Sequence, residues 1–258
     1  MLFFDCAKVS NLVIFSKENG VFSLPFACIF VTLPSHRGKG KMNQTDKNVI
    51  MITAGGVGAR FGSSVPKQYV EINGRQVISY VIDACKQSQK ADAIVVVAHP
   101  DYHDELRAAY GVEVVESGPE LNVTKRNGID YIGRHSACEK LVVVDAVRPA
   151  VESSVIDRFF VLLDEYDAVA CARKITDSLG RYGEWIVNRE EYYTLSTPEG
   201  FRFPLIDRHF KAGSPLTESI QQLPPDSNVY LDFNAPYYDK LTYPEDLARV
   251  QWILSHRL

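Results

Sequence analysis

Arg60 and Lys67 sit on a glycine-rich stretch, residues 54–68 (AGGVGARFGSSVPKQ), that follows directly on the apolar run Val49-Ile50-Met51-Ile52. Small residues at a strand end let a phosphate chain come close to backbone N–H groups, and an Arg and a Lys supply positive charge where negative charge develops. The spacing fits neither common phosphate loop. Counting GxGxxG from Gly56 and Gly58 puts Phe61 at the third glycine, and no strand-end acid follows about 20 residues on. Lys67 lies between Pro66 and Gln68, so GxxxxGK followed by Ser or Thr is absent too. A surface loop with incidental cations is the plain alternative.

The elements that must position this loop alternate from Asn48 onward. The pattern predicts strands over Val49 to Thr53, Ala93 to Ala98, Val112 to Glu116, Leu141 to Asp145 and Ala168 to Ala172. Between them it predicts helices over Val77 to Lys86, His103 to Ala109, Val123 to Ile132 and Ser154 to Glu165. Continuous apolar strands such as Ile94-Val95-Val96-Val97 imply burial on both faces, hence a doubly wound, mostly parallel α/β sheet. Ligands of such a sheet lie at the carboxyl ends of its strands, where the glycine loop and Asp145 both fall. Past Ala172 the alternation lapses. The turn Arg181-Tyr182-Gly183-Glu184, between the β-prone runs Trp185-Ile186-Val187 and Tyr192-Tyr193-Thr194-Leu195 and the preceding strand, reads as a projecting β-arm over 173–197. Its Trp and Tyr need a partner surface.

Composition sets bounds. With 258 residues, 46% hydrophobic, the chain can bury one sizeable core. Lys plus Arg is 28 against 32 for Asp plus Glu; the net charge of −4 leaves no basic footprint for nucleic acid. Cys6, Cys28, Cys85, Cys138 and Cys171 form no CxxC, and the histidines show no metal-ligand spacing, so no disulfide framework or zinc site is indicated and a reducing cytoplasm fits. Residues 1–41 differ from the rest: Val21 to Leu33 is apolar but broken by Pro25 and too short for a membrane anchor, and a basic linker leads to Met42. The expectation is an extension over 1–41 and a single domain over 42–258.

The strand, glycine turn, arginine and Pro66-Lys67-Gln68 together resemble the signature loop of nucleotidyltransferases that activate sugar and polyol phosphates. The Pro-Lys-Gln ending is similar to the cytidylyltransferases acting on methylerythritol phosphate or ribitol phosphate. The resemblance runs from about Asn48 to the C-terminus. It implies a Rossmann-like nucleotidyltransferase fold, with Arg60, Lys67 and Lys240 as catalytic cations, the last within a KxTxPEDL-like Lys240-Leu241-Thr242-Tyr243-Pro244-Glu245-Asp246-Leu247. It implies nucleotide contacts from Ala54, Gly55, Gly56 and Gly58, from Thr124, and from Asp145 and Ala146 of a DAARP-like Asp145-Ala146-Val147-Arg148-Pro149, with Asp145 on the metal side. Arg148, Arg189 of the arm and Thr197 are implied as substrate contacts, the arm serving a homodimer. The chain departs from the family pattern at Leu121, where an arginine is usual, at Glu199, usually glutamine, and in the acceptor segment Ser214-Pro215-Leu216-Thr217-Glu218-Ser219.

The implied reaction needs few parts. A phosphate oxygen of the acceptor attacks the α-phosphorus of CTP and pyrophosphate departs, so the protein positions two anions and neutralises the charge that accumulates. A divalent cation, Mg²⁺, is expected to bridge the phosphates near Asp145. The acceptor is methylerythritol phosphate or ribitol phosphate, and the altered acceptor segment leaves that choice open. A catalytically weak, nucleotide-binding homologue with an interaction or regulatory role is the competing reading. An NAD-dependent oxidoreductase is the other, disfavoured by Phe61.

Overall fold

In the computed structural model of the chain the described residues are 41–56, 58, 61–236 and 238–256. The expected extension over 1–41 falls outside them but for Lys41, and no helix among the described residues is long and apolar enough to cross a membrane.

Strands β1 (Asn48–Ala54), β4 (Ala93–Ala98) and β6 (Lys140–Asp145) are the predicted apolar runs, and they form the middle of the sheet. Their side chains alternate between two cores, as a period of two requires. Ile50, Ile52, Ile94, Val96, Val142 and Val144 meet α1 (Val77–Gln87) and α4 (Ser153–Leu162) on one face. Val49, Met51, Val95, Val97, Leu141 and Val143 meet α3 (Leu121–His135) and α5 (Phe203–His209) on the other. The sheet has the order β5-β4-β1-β6-β8-β7-β9, with β5 at Glu113–Glu116, β7 at Ala168–Lys174, β8 at Tyr193–Arg202 and β9 at Val229–Asp232. β8 alone runs antiparallel to its neighbours, and the other pairings are parallel. A short hairpin, β2 (Glu71–Ile72) with β3 (Arg75–Gln76), follows the glycine loop; α2 (His103–Tyr110) covers the sheet beside β5, and α6 (Asp246–His256) closes the described chain.

The arm departs from expectation in one respect. Trp185-Ile186-Val187 forms no strand; it follows an isolated bridge between Arg181 and Glu184. With no neighbouring strand to pair with, β propensity there has nothing to act on. The arm stands instead on the outer ends of β7 and β8, with Arg173 opposite Thr194 and Lys174 opposite Tyr193. Tyr182 and Trp185, 107% and 85% exposed, project at its tip.

Candidate active site

The parallel strands bring three features to one edge of the sheet: the loop after β1, the turn after β6, and the segment before α6. At the first, Gly55 lies so close to the next loop that a Cβ would stand 2.3 Å from Cβ of Ser117, so no larger residue fits. Gly58 takes φ +74°, open to glycine at no cost. Gln68, buried, clasps the loop: its Nε2 donates to the carbonyls of Ala54 at 2.7 Å and Gly56 at 2.9 Å. Lys67 opens the 3-10 turn Lys67–Tyr69 that carries this clasp. Arg60 lies outside the described residues.

The loop faces the start of α3. Thr53, Gly55, Gly56, Gly118, Leu121 and Thr124 line a pocket of about 110 Å³. Thr124 is buried, and its hydroxyl accepts from Gly118 N–H at 3.1 Å, closing the loop ahead of the helix. Leu121, 43% exposed, turns an apolar side chain to this pocket where a cation is usual in the resembled pattern.

Asp145 ends β6 and is almost fully buried. Thr53 Oγ1 donates to its Oδ1 at 3.2 Å, Lys240 Nζ lies 2.9 Å from Oδ2 and Arg148 Nε 3.4 Å from the same oxygen. Burial pushes this carboxyl's pKa up, but Lys240, Arg148 and, at longer range, Lys125 outweigh it and hold the group well below the usual carboxylate range. Ala146 N–H donates to Thr53 O at 3.1 Å, fixing the turn against β1. The approach of Lys240 is built by its own motif: Leu241 N–H donates to Val147 O, and Asp246 accepts from the Thr242 and Tyr243 amides at 2.8 Å each.

Arg148, expected at the substrate, is turned inward. Besides Asp145 it donates through Nη1 to Tyr238 O at 2.5 Å, and it is buried, so it braces the carboxylate rather than facing an open cleft. Thr197 lies in β8, its hydroxyl buried without a hydrogen-bond partner among the described residues. Arg189 belongs to the arm, contacting Thr176 O and, at 3.3 Å, Glu190 of its own chain. Nearby, a cleft of about 470 Å³ opens over the ends of β7 and β9, lined by Cys171, Arg173, Thr176, Ser196 and Asn234. A cleft of similar size at the opposite edge of the sheet is lined by three cations, of which Lys140 and Arg202 are engaged with Asp164 and backbone carbonyls and Arg208 is the third.

Sequence reasoning passed over Gln68, Lys125 and Glu199 as working residues. Lys125 was detectable: it falls four and seven residues before Ile129 and Ile132, on the buried stripe of α3, where an ammonium must have partners.

Comparison with known proteins agrees with this geometry. The 2-C-methyl-D-erythritol 4-phosphate cytidylyltransferase (IspD) family profile matches residues 48–256. A protein of that name from Clostridium botulinum is 29% identical over 231 residues, covering 81% of this chain and 98% of its own. One from Bifidobacterium longum is 28% identical over 251 residues, covering 87% and 86%. Among solved structures, 4-diphosphocytidyl-2C-methyl-D-erythritol synthase from Anaerococcus prevotii superposes with a TM-score of 0.70 at 22% identity, over 81% of this chain and 96% of that one. The loop after β1, the Asp145 turn and the Lys240 segment thus stand in a nucleotidyltransferase, and the chain belongs to the 2-C-methyl-D-erythritol 4-phosphate cytidylyltransferase family.

Proposed function

We propose that this chain transfers CMP from CTP to a polyol phosphate of the 2-C-methyl-D-erythritol 4-phosphate type and releases pyrophosphate. The observation that carries the reading is the convergence of the clasped glycine loop, Asp145 and Lys240 on one sheet edge. The family of its relatives supports the nucleotide and the acceptor class.

In this reading the backbone of Ala54, Gly55, Gly56 and Gly58 receives the triphosphate, and the pocket between that loop and Thr124 receives the base side. Arg60, Lys67 and Lys240 neutralise charge as an oxygen of the acceptor phosphate attacks the α-phosphorus and the bond to pyrophosphate breaks. No side-chain nucleophile is needed. The acceptor lies toward the cleft beneath the arm, which Arg173, Thr176 and Ser196 line, and Arg189 grips its phosphate in a neighbouring copy of the chain. Arg148 keeps Asp145 in place.

The donor set suits Mg²⁺ brought in with the nucleotide. Among the described residues no three His, Cys, Asp or Glu side chains cluster, and an ion that keeps its waters and takes substrate phosphates needs one or two carboxylates; Asp145 is that residue. When bound, the ion supplies charge stabilisation to the phosphates.

Pyrophosphate release measured with CTP, UTP, ATP and GTP against 2-C-methyl-D-erythritol 4-phosphate and ribitol 5-phosphate tests the reading. Turnover with CTP and the methylerythritol acceptor is expected. Preference for ribitol phosphate would move the acceptor, and inactivity with every pair would overturn the proposal.

A further inference from the structure

Lys125 is buried to 1% exposure in α3, and its side chain does not reach water. Its Nζ donates to Thr217 O and Ser219 Oγ, both at 3.0 Å, and lies 3.7 Å from Oε2 of Glu199. Glu199, fully buried in β8, accepts the amides of Ser219 at 3.1 Å and Ile220 at 3.0 Å. Nearly one turn before Lys125, Asn122 Nδ2 donates to the carbonyls of Ser214 and Leu216, each at 2.8 Å. A helix and a strand thus grip the backbone of segment 214–222 from beneath. The same helix begins at Leu121 and Thr124, which line the pocket beside the glycine loop.

A buried ion pair is a poor source of stability, since apolar residues of like volume do as well; what it can supply is register. The segment it holds is the one whose sequence departs from the resembled acceptor motif, and Glu199 is itself a departure. The two changes are joined through Lys125.

We propose that Lys125 and Glu199 are positioning residues whose pairing sets segment 214–222 over the carboxyl edge of the sheet and so registers the acceptor against the nucleotide held at the start of the same helix. This rests on the function proposed above. Lys125 and Glu199 touch neither substrate and act through the segment.

The test uses the full chain with Lys125→Met, Glu199→Gln and the double variant. Pyrophosphate release is followed with CTP and 2-C-methyl-D-erythritol 4-phosphate varied separately, alongside amide hydrogen exchange at 214–222. Because a shift of about 1 Å in a bound reactant can cost on the order of a hundredfold, each single variant should raise the acceptor KM at least about tenfold while the CTP KM moves less than about threefold. Exchange at Ser219 and Ile220 should quicken. The double variant, which leaves no lone buried charge, should do better than the worse single variant. An unchanged acceptor KM, or equal rises in both KM values, would overturn the inference. If the single variants do not fold, the neutral double variant carries the same comparison of KM values and exchange. A wild-type chain inactive with this acceptor would instead sink the proposed function, and the exchange measurement would still decide whether the pair holds the segment.

Discussion

Lys240 places its ammonium nitrogen 2.9 Å from Oδ2 of Asp145, a carboxylate that Arg148 and Thr53 also hold. The cation is thus held at the strand end while remaining a third exposed, which in the proposed reaction leaves it able to share its charge with a phosphate. Lys240→Ala should lower kcat on the order of a hundredfold, as loss of one charge-stabilising donor does. It should also lower unfolding free energy by about 1–3 kcal/mol, because the buried carboxylate loses its nearest partner. Steady-state kinetics and urea titration measure the two, and a variant with wild-type kcat would remove Lys240 from the reaction.

Lys67 should separate the same two quantities. It starts a 3-10 turn at the mouth of the loop and is only partly buried, so Lys67→Ala should cost about a hundredfold or more in kcat. Its effect on stability should stay near the ±0.5 kcal/mol of a surface change. Activity within a few fold of wild type would contradict the role.

Gln68 is a donor that the loop depends on. Gln68→Glu puts a carboxylate opposite the carbonyls of Ala54 and Gly56, where only a donor fits, and should cost about 1–3 kcal/mol with a raised CTP KM. A variant with unaltered CTP KM would show that the clasp is not needed to shape the loop.

Much of the scaffold was legible because β1, β4 and β6 are buried on both faces, which leaves an unbroken apolar run for each. β8 was legible only at its start, the β-prone Tyr193-Thr194-Leu195, because Pro198 and Gly200 interrupt the rest. The structure accommodates Pro198 where the β7 ladder steps from Glu199 opposite Ala170 to Ser196 opposite Cys171, so its missing N–H falls in the irregularity. Asp145 and the glycine loop could be placed from strand ends alone. Arg148 carries two readings, a substrate contact by resemblance and, on its own residues, a structural partner for Asp145 or a backbone carbonyl, and the structure has it on both Asp145 and the Tyr238 carbonyl.

Glu218 gives the stability of the fold a pH dependence. Burial first, then the negative charges of Glu199 and Asp145, push its pKa from 4.5 up to about 7, against Lys125 and Lys240. A carboxyl whose folded pKa exceeds its unfolded value stabilises fully below the unfolded pKa, and that contribution is lost as pH rises through the folded one. Wild-type Tm should therefore carry a component that falls between about pH 4.5 and 7. Glu218→Gln keeps an acceptor for the Gln221 amide and should lack that component, so its Tm should gain on wild type as pH rises. Asp145, with its pKa lowered, acts oppositely and only in more acid solution. Parallel Tm curves for the two proteins would refute the assignment.

The arm can be tested by mixing. If Arg189 completes a neighbouring copy's site, Lys67→Ala and Arg189→Ala proteins are each inactive, yet a mixed dimer has one intact site. Random pairing at equal amounts in a two-fold dimer should restore about a quarter of wild-type activity. No recovery, with subunit exchange verified by mass spectrometry, would confine Arg189 to its own chain.

β8 enters the sheet between β6 and β7 although it is synthesised after both. On the ribosome, β5, β4, β1 and β6 can assemble once Asp145 has emerged, leaving Leu141-Val142-Val143 as an open apolar edge that Glu199, Gly200 and Phe201 cover later. At roughly 5–20 residues per second the intervening chain delays closure by several seconds, during which the edge is a template for other nascent strands. Every residue added to the arm lengthens that interval, so a longer arm would carry a greater hazard of aggregation during synthesis.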